Sequence, residues 1–186
     1  VIGEDRLELP LRLGDVVEQL GEDFPSTVFA AVDLLLQDQD RVLAVVGDDV
    51  LEVADGERFE LRIAPVTKRI GEATGRMLAY NGSIPGPTLR VREGSEIQVD
   101  VVNDGDLEGT VHWHGLRLEN RYDGTHETQA PIPVGGTFTY RIRFPDPGLY
   151  WYHPHIREDY TQELGLYGNI LVVPTDPDYW PPADRE

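Results

Sequence analysis

From about Phe59 onward, the sequence consists of short stretches in which apolar and polar residues alternate. A period of two places the apolar side chains on one face of a β-strand, as in a sheet with one buried face. The apolar positions of two such stretches are Val91, Ile97, Val99 and Val101, and Phe138, Tyr140, Ile142 and Phe144. Segments rich in Gly, Pro and Asp separate the stretches and predict turns. The pattern predicts an all-β sandwich or barrel.

Residues 1–58 depart from this pattern and predict an acidic N-terminal extension of mixed α/β structure. The segment PSTVFAAVDLLLQ has apolar residues at helical spacing, and Ser26 is suited to cap its N-terminus. Short strands joined by Gly-Asp and Asp-Gly turns are predicted in RVLAVV and VLEVADGERFELRI. We therefore expect a β-domain at residues 59–175, followed by a linker or tail at 176–186.

Charge and cysteine content narrow the possible functions. The chain of 186 residues has a formal net charge of −18, which repels nucleic acids and anionic membranes, so neither is an expected partner. No apolar stretch approaches the roughly 20 residues that a membrane-spanning helix needs. The sequence contains no cysteine, and therefore no disulfide, thiolate metal ligand or thiol nucleophile.

Four of the five histidines form two His-x-His pairs, His112 with His114 and His153 with His155. Residues two apart in a strand point to the same side, so each pair presents two imidazoles on one face, with Cα atoms roughly 7 Å apart. Pro154 has no backbone N–H, which indicates that the second pair lies at a sheet edge or a strand end. Imidazole clusters suit Cu, Zn, Fe or Ni, so the pairs predict a transition-metal site of open identity.

Other residues near the two pairs have plainer interpretations. His126, in an apparent loop, is predicted to form surface or turn hydrogen bonds. Glu127 and Glu163 are predicted to face solvent or to support the site from outside. Trp113 and Trp151 are predicted to pack in the sandwich rather than to carry electrons.

The chain resembles the first cupredoxin domain of multicopper oxidases, the laccase-like enzymes, over about residues 75–175. The resemblance runs through NGSIPGPTLRVREG, HWHG, YDGTHETQAPIPVGGTFTYRIRF, GLYWYHPH and ELGLYGNILVVP. It implies a Greek-key cupredoxin-like fold and a copper-dependent oxidoreductase. In such an enzyme a trinuclear copper cluster reduces O2 to water while a small reducing substrate is oxidised at a type 1 copper. It also implies a secreted or periplasmic location, although no signal peptide is visible.

The resemblance also implies residue roles. The first histidine of HWHG binds type 2 copper in that family and corresponds to His112, whereas the second binds a type 3 copper and corresponds to His114. His153 and His155, in WYHPH, would bind type 3 coppers. These residues would supply half of the cluster's histidines. Asp123 matches a family acid near the type 2 copper and is a candidate proton relay, with a simple Asp-Gly turn as the alternative.

The chain departs from the family pattern because a type 1 copper site needs a cysteine, which is absent here. We expect the type 1 copper and the other half of the cluster histidines in further cupredoxin domains, in a longer polypeptide or in another chain, and we favour the first. The isolated chain should therefore not turn over. The alternatives are a non-catalytic copper-binding or assembly module and a cupredoxin electron carrier, which the lack of cysteine disfavours.

Overall fold

The computed structural model describes residues 50–182, which contain nine β-strands and two short helical turns. The strands are β1 Val50–Val53, β2 Arg58–Ile70, β3 Ala73–Tyr80, β4 Gly86–Arg92, β5 Glu96–Asn103, β6 His112–His114, β7 Thr137–Arg143, β8 Gly148–His153 and β9 Gly168–Val173. A 3-10 helix spans Asn120–Tyr122, and α1 spans Glu158–Thr161. Neither helix of this described part has the length and apolar character that crossing a membrane requires.

The strands form two mixed sheets. The five-stranded sheet has the order β1-β4-β9-β8-β6, and the four-stranded sheet has the order β3-β2-β5-β7. β1, β4 and β9 are parallel, whereas β8 is antiparallel to both β9 and β6. In the other sheet, β2 is parallel to β5 and antiparallel to β3, and β7 is antiparallel to β5.

The predicted strands of VLEVADGERFELRI are confirmed as β1 and β2, and Gly56 in the turn between them has a φ of 77°. The two strands nevertheless enter different sheets, because β1 pairs with β4 whereas β2 pairs with β3 and β5. The helix and strand predicted for residues 25–46 lie outside the described residues. Residues 174–182 form neither helix nor strand, as predicted for the start of the tail.

One hydrophobic core receives side chains from both sheets, which defines a β-sandwich. Seven of the alternating apolar positions are buried, with at most 2% of their surface exposed: Val91, Ile97, Val99, Val101, Tyr140, Ile142 and Phe144. Phe138, at the start of β7, is half-buried and packs against this core. Burying apolar surface stabilises the fold by roughly 25 cal/mol per Å². These alternating side chains therefore provide much of the free energy that holds the two sheets together.

Asn103 is a fully buried polar residue at the end of β5. Its side-chain amide donates hydrogen bonds to the carbonyl oxygens of Leu107 and Ile132, at 2.8 and 2.9 Å. Its Oδ1 accepts a hydrogen bond of 3.0 Å from the backbone N–H of Gly105. These bonds tie the loop that leads to β6 to the segment that precedes β7, and so help to place the start of β6.

We expect Asn103→Ala to lower the free energy of unfolding by about 3 kcal/mol, because it removes the three hydrogen bonds that this buried amide makes with Leu107, Ile132 and Gly105. Chemical denaturation followed by far-UV circular dichroism measures this loss. Asn169→Ala is the matched control, since Asn169 is an exposed residue of β9. A loss no larger than that of the control would contradict the structural role of Asn103.

Candidate metal centre

The two histidine motifs meet because β6 and β8 are antiparallel neighbours at one end of the five-stranded sheet. Their register pairs His112 with His153 and His114 with Trp151. The intervening Trp113 is fully buried in the core, so the histidines of β6 point to the opposite face. The prediction that His112 and His114 share a face is therefore confirmed. Each step of the register places an aromatic or imidazole ring opposite another.

The second pair lies at the end of β8, as Pro154 predicted. β8 ends at His153, and His155 follows beyond the proline. The four imidazole rings converge: the centroid of His112 lies 5.4, 5.3 and 4.8 Å from those of His114, His153 and His155, respectively. The centroid of His153 lies 5.4 Å from those of His114 and His155. The structure thus brings all four predicted histidines into one cluster.

Backbone carbonyl groups fix two of the rings. Nδ1 of His112 donates to the carbonyl oxygen of Asp123 at 2.6 Å, and Nδ1 of His153 donates to that of Pro154 at 2.8 Å. A carbonyl oxygen only accepts hydrogen bonds, so the proton of each neutral ring lies on Nδ1. Each Nε2 therefore keeps its lone pair, which is the form that binds a metal ion.

Ring nitrogens of the cluster lie close to one another. Nε2 of His153 lies 3.2 Å from Nδ1 of His114, and because the His153 proton is on Nδ1, His114 is the donor of this hydrogen bond. Ligand nitrogens of His112, His153 and His155 all lie within 4.8 Å of one another. With metal–nitrogen bonds of roughly 2 Å, these three nitrogens are close enough to one another to hold a metal ion.

The environment of His153 favours the neutral form of its ring. Only 3% of its surface is exposed, and this burial lowers the pKa of the ring to about 4. Its hydrogen bond to Pro154 opposes the shift, whereas the other three histidines of the cluster add to it. The ring is therefore neutral at pH 7, as a metal ligand must be.

Trp151 belongs to the histidine face rather than to the core. Its ring stacks on that of His153, with centroids 3.9 Å apart and planes inclined by 21°. It also lies 4.9 Å from the ring of His114. The prediction that both tryptophans pack in the sandwich therefore holds for Trp113, whereas Trp151 packs against the rings of His114 and His153.

The Asp-Gly pair after the 3-10 helix packs against the start of β6. Gly124 has a φ of +82°, and a Cβ atom there would lie 1.9 Å from the carbonyl oxygen of Val111 and 2.7 Å from the backbone nitrogen of His112. Only glycine fits this approach. The carboxylate of Asp123 lies 3.6 Å from Nδ1 of His112 and is 35% exposed. The pair is thus a turn, and it also places an acid beside the cluster.

Two residues near His155 had no signal in the sequence. Thr110 accepts a hydrogen bond of 3.2 Å from the backbone N–H of His155, although 45 residues separate them. Oε1 of Glu158 lies 2.9 Å from Nδ1 of His155. By contrast, His126 is exposed, lies outside the cluster and has Glu127 2.9 Å from its Nε2.

The donor set fits a transition-metal site. It consists of four imidazoles, one of which is buried and neutral, and the anchored Nδ1 atoms of His112 and His153 leave the opposite nitrogens without a proton. Such nitrogen-rich sites suit copper, and also zinc, iron and nickel. β6 is the end strand of its sheet, and His114 is exposed, so the cluster opens to the outside.

Comparison with known proteins shows which family the chain resembles and favours copper among these metals. A family model described as "Multicopper oxidase" matches residues 64–177. Multicopper oxidase MmcO of Mycobacterium tuberculosis (strain ATCC 25618 / H37Rv) is 45% identical over 104 residues, which is 55% of this chain and 20% of that protein. Copper resistance protein A of Pseudomonas syringae pv. tomato is 32% identical over 136 residues, or 73% of this chain and 22% of that protein.

A solved structure gives the same result at the level of the fold. The crystal structure of the multi-copper oxidase from Pseudomonas thermotolerans has a TM-score of 0.64 and 31% sequence identity, and the match covers 71% of this chain and 32% of that chain. The chain spans about a fifth of the length of the two curated relatives.

Proposed function

The chain belongs to the multicopper oxidase family, and on this premise we propose that its four clustered histidines supply half of the ligands of a trinuclear copper cluster. His112 would bind the type 2 copper, and His114, His153 and His155 would bind the type 3 pair. The observation that supports this proposal is the convergence of the four rings, with centroids 4.8–5.4 Å apart in the measured pairs.

The residues of the chain would hold and orient this cluster. When bound, copper supplies the redox chemistry by which O2 is reduced to water. The carbonyl groups that accept from His112 and His153 keep each Nε2 directed at the shared space. The burial of His153 keeps its ring neutral, and the stacked Trp151 covers one face of that ring.

Asp123 is the proposed proton relay. Its carboxylate lies close to His112 and is partly exposed, so it can take up a proton from water and hold it beside the cluster. Reduction of O2 to water consumes protons, which such an acid would deliver. The adjoining Gly124 turn fixes the backbone of this acid against β6.

A complete oxidase requires copper ligands beyond those that the 186 residues contain. The chain contains no cysteine and covers about a fifth of its relatives, so we propose that other cupredoxin domains provide the type 1 copper and the rest of the cluster ligands. These domains would lie in the same polypeptide or in a second chain. A small reducing substrate would be oxidised there. The domain limits at 58 and 175 and a secreted or periplasmic location stay predictions.

Copper loading of the 186-residue chain tests this proposal. After dialysis against Cu(II), we expect metal analysis to show retained copper, whereas an oxygen electrode with a phenolic reductant should show no consumption above free copper. Failure to retain copper would contradict the ligand role. Oxygen turnover by the chain alone would contradict the need for further domains.

The alternative function is a non-catalytic copper-binding or assembly module, which the absence of cysteine supports. A polypeptide that joins this chain to a domain bearing a type 1 copper separates the two functions. Copper-dependent oxygen consumption by this longer protein would support the oxidase, and copper binding without consumption would support the module.

A further inference from the structure

Glu158 is an acidic residue at the start of α1 that belongs to no sequence motif, yet its carboxylate lies 2.9 Å from Nδ1 of His155. We propose that Glu158 is the positioning residue of His155, holding the proton on Nδ1 so that Nε2 is the nitrogen available to copper. This inference rests on the proposed function, because it takes His155 to be a metal ligand.

The backbone between the two residues is shaped for this contact. Arg157 has a φ of 50° and a ψ of 53°, a left-handed conformation that costs a non-glycine residue of the order of 1 kcal/mol. This residue reverses the direction of the chain after the histidine motif. As a result, the side chain of Glu158 lies next to that of His155, which precedes it by three residues. Glycine or asparagine adopts this left-handed conformation at lower cost than arginine does.

Thr161 holds this strained turn in place. Only 4% of its surface is exposed, and its single hydroxyl proton is shared between the carbonyl oxygens of Ile156 and Arg157, at 2.9 and 3.0 Å from Oγ1. Its backbone N–H also donates to Arg157, at 2.8 Å. The hydroxyl and the backbone N–H of one buried residue thus maintain the conformation that brings Glu158 to the ring.

The contact is distinctive among the four histidines. Nδ1 of His112 and of His153 bonds to a backbone carbonyl, which no side-chain substitution removes. His155 has no such carbonyl partner among the described contacts, and its backbone N–H is already held by Thr110. The imidazole of His155 could therefore rotate about its side-chain bonds, and the contact with Glu158 restricts this rotation. A carboxylate on the other ring nitrogen also makes an imidazole a stronger metal ligand.

The ring tautomer of the metal-free chain tests the inference directly. Long-range ¹H–¹⁵N correlation spectra distinguish Nδ1–H from Nε2–H imidazole, and we expect His155 to be in the Nδ1–H form. Glu158→Ala should shift His155 toward the Nε2–H form, and Glu158→Gln, which keeps an acceptor oxygen, should restore it in part. An unchanged tautomer in Glu158→Ala would overturn the inference, whether or not the chain binds copper.

Copper affinity provides the second measurement. In competition titrations, Glu158→Ala should bind Cu(II) about 10–100-fold more weakly than the unmodified chain does. This is the usual loss when the hydrogen-bond partner of a metal-bound histidine is removed. The affinity of Glu158→Gln should lie between those of the other two proteins.

Glu127→Ala is the matched control, because the exposed pair of His126 and Glu127 has the same 2.9 Å separation. Equal affinities for Glu158→Ala and Glu127→Ala would overturn the inference. If His155→Ala lost copper in the same experiment, the ligand role of His155 in the proposed function would still stand, and only the role of Glu158 would be wrong.

Discussion

Replacing His153 with alanine is expected to weaken Cu(II) binding by the chain roughly 100-fold or more, beyond the 10–100-fold that loss of an outer partner of a ligand costs. The centroid of the His153 ring lies 5.3–5.4 Å from those of the other three histidines. Its neutral, buried imidazole also has a fixed proton on Nδ1, so its Nε2 carries the lone pair that a metal ion needs.

Competition titration against a chelator of known affinity measures this loss, and His126→Ala is the control, because it removes an exposed imidazole outside the cluster. A buried substitution can also disturb the fold, so His114→Ala is a useful second variant. His114 is exposed, and its loss should weaken copper binding with little effect on unfolding. If both variants kept the affinity of His126→Ala, neither His153 nor His114 would be a copper ligand.

Gly124→Ala is expected to destabilise the chain by about 3 kcal/mol, at the upper end of the cost of forcing extra atoms into a packed site. The new methyl group would overlap the Val111 carbonyl, and the positive φ adds to the strain because alanine disfavours it. To relieve the overlap, the turn must move away from β6. The carbonyl of Asp123 that fixes the His112 ring would move with it, so copper affinity should fall together with stability.

Gly75→Ala is the matched control for this prediction. Gly75 lies in β3, and an added Cβ there would meet no atom within 4 Å. Alanine is favoured over glycine by roughly 0.5–1 kcal/mol in a strand, so this variant should be neutral or slightly more stable. Chemical denaturation and copper titration of both variants give the comparison. Similar unfolding curves for Gly124→Ala and Gly75→Ala would show that the close approach does not constrain the protein.

The parts of this structure that could be predicted from the sequence depend on local periodicity. Alternation along β5 identified Ile97, Val99 and Val101 as buried, because a strand turns successive side chains to opposite faces. The same rule placed His112 and His114 on one face. The predicted all-β, cupredoxin-like sandwich is confirmed by the two sheets and by the solved relative from Pseudomonas thermotolerans.

What the sequence could not provide is which strands pair. The contact of His114 with His153 joins residues 39 apart, and it exists because β6 and β8 are neighbours in a register set by the whole sheet. Thr110 reaches His155 in the same way, across 45 residues. β1 and β2 follow each other in the sequence with a short turn between them, yet they enter different sheets. This could not be predicted, because a local sequence pattern does not show which strand a given strand will pair with.

The position of Glu158 escaped prediction for a different reason. It is close to His155 in the chain, but the contact requires a left-handed arginine, a conformation that sequence patterns give no reason to expect. The role of Gly124 was only half visible, because an Asp-Gly pair indicates a turn without showing which backbone atoms the turn touches.

The position of β6 at the end of its sheet has a thermodynamic consequence for the proposed oxidase. If the remaining ligands arrive from another domain at this open margin, then metal uptake and domain docking are linked equilibria. Each must strengthen the other by the same factor, since the free energy of the fully assembled state does not depend on the order of assembly. Copper supply would then govern how firmly the two halves of the enzyme hold together.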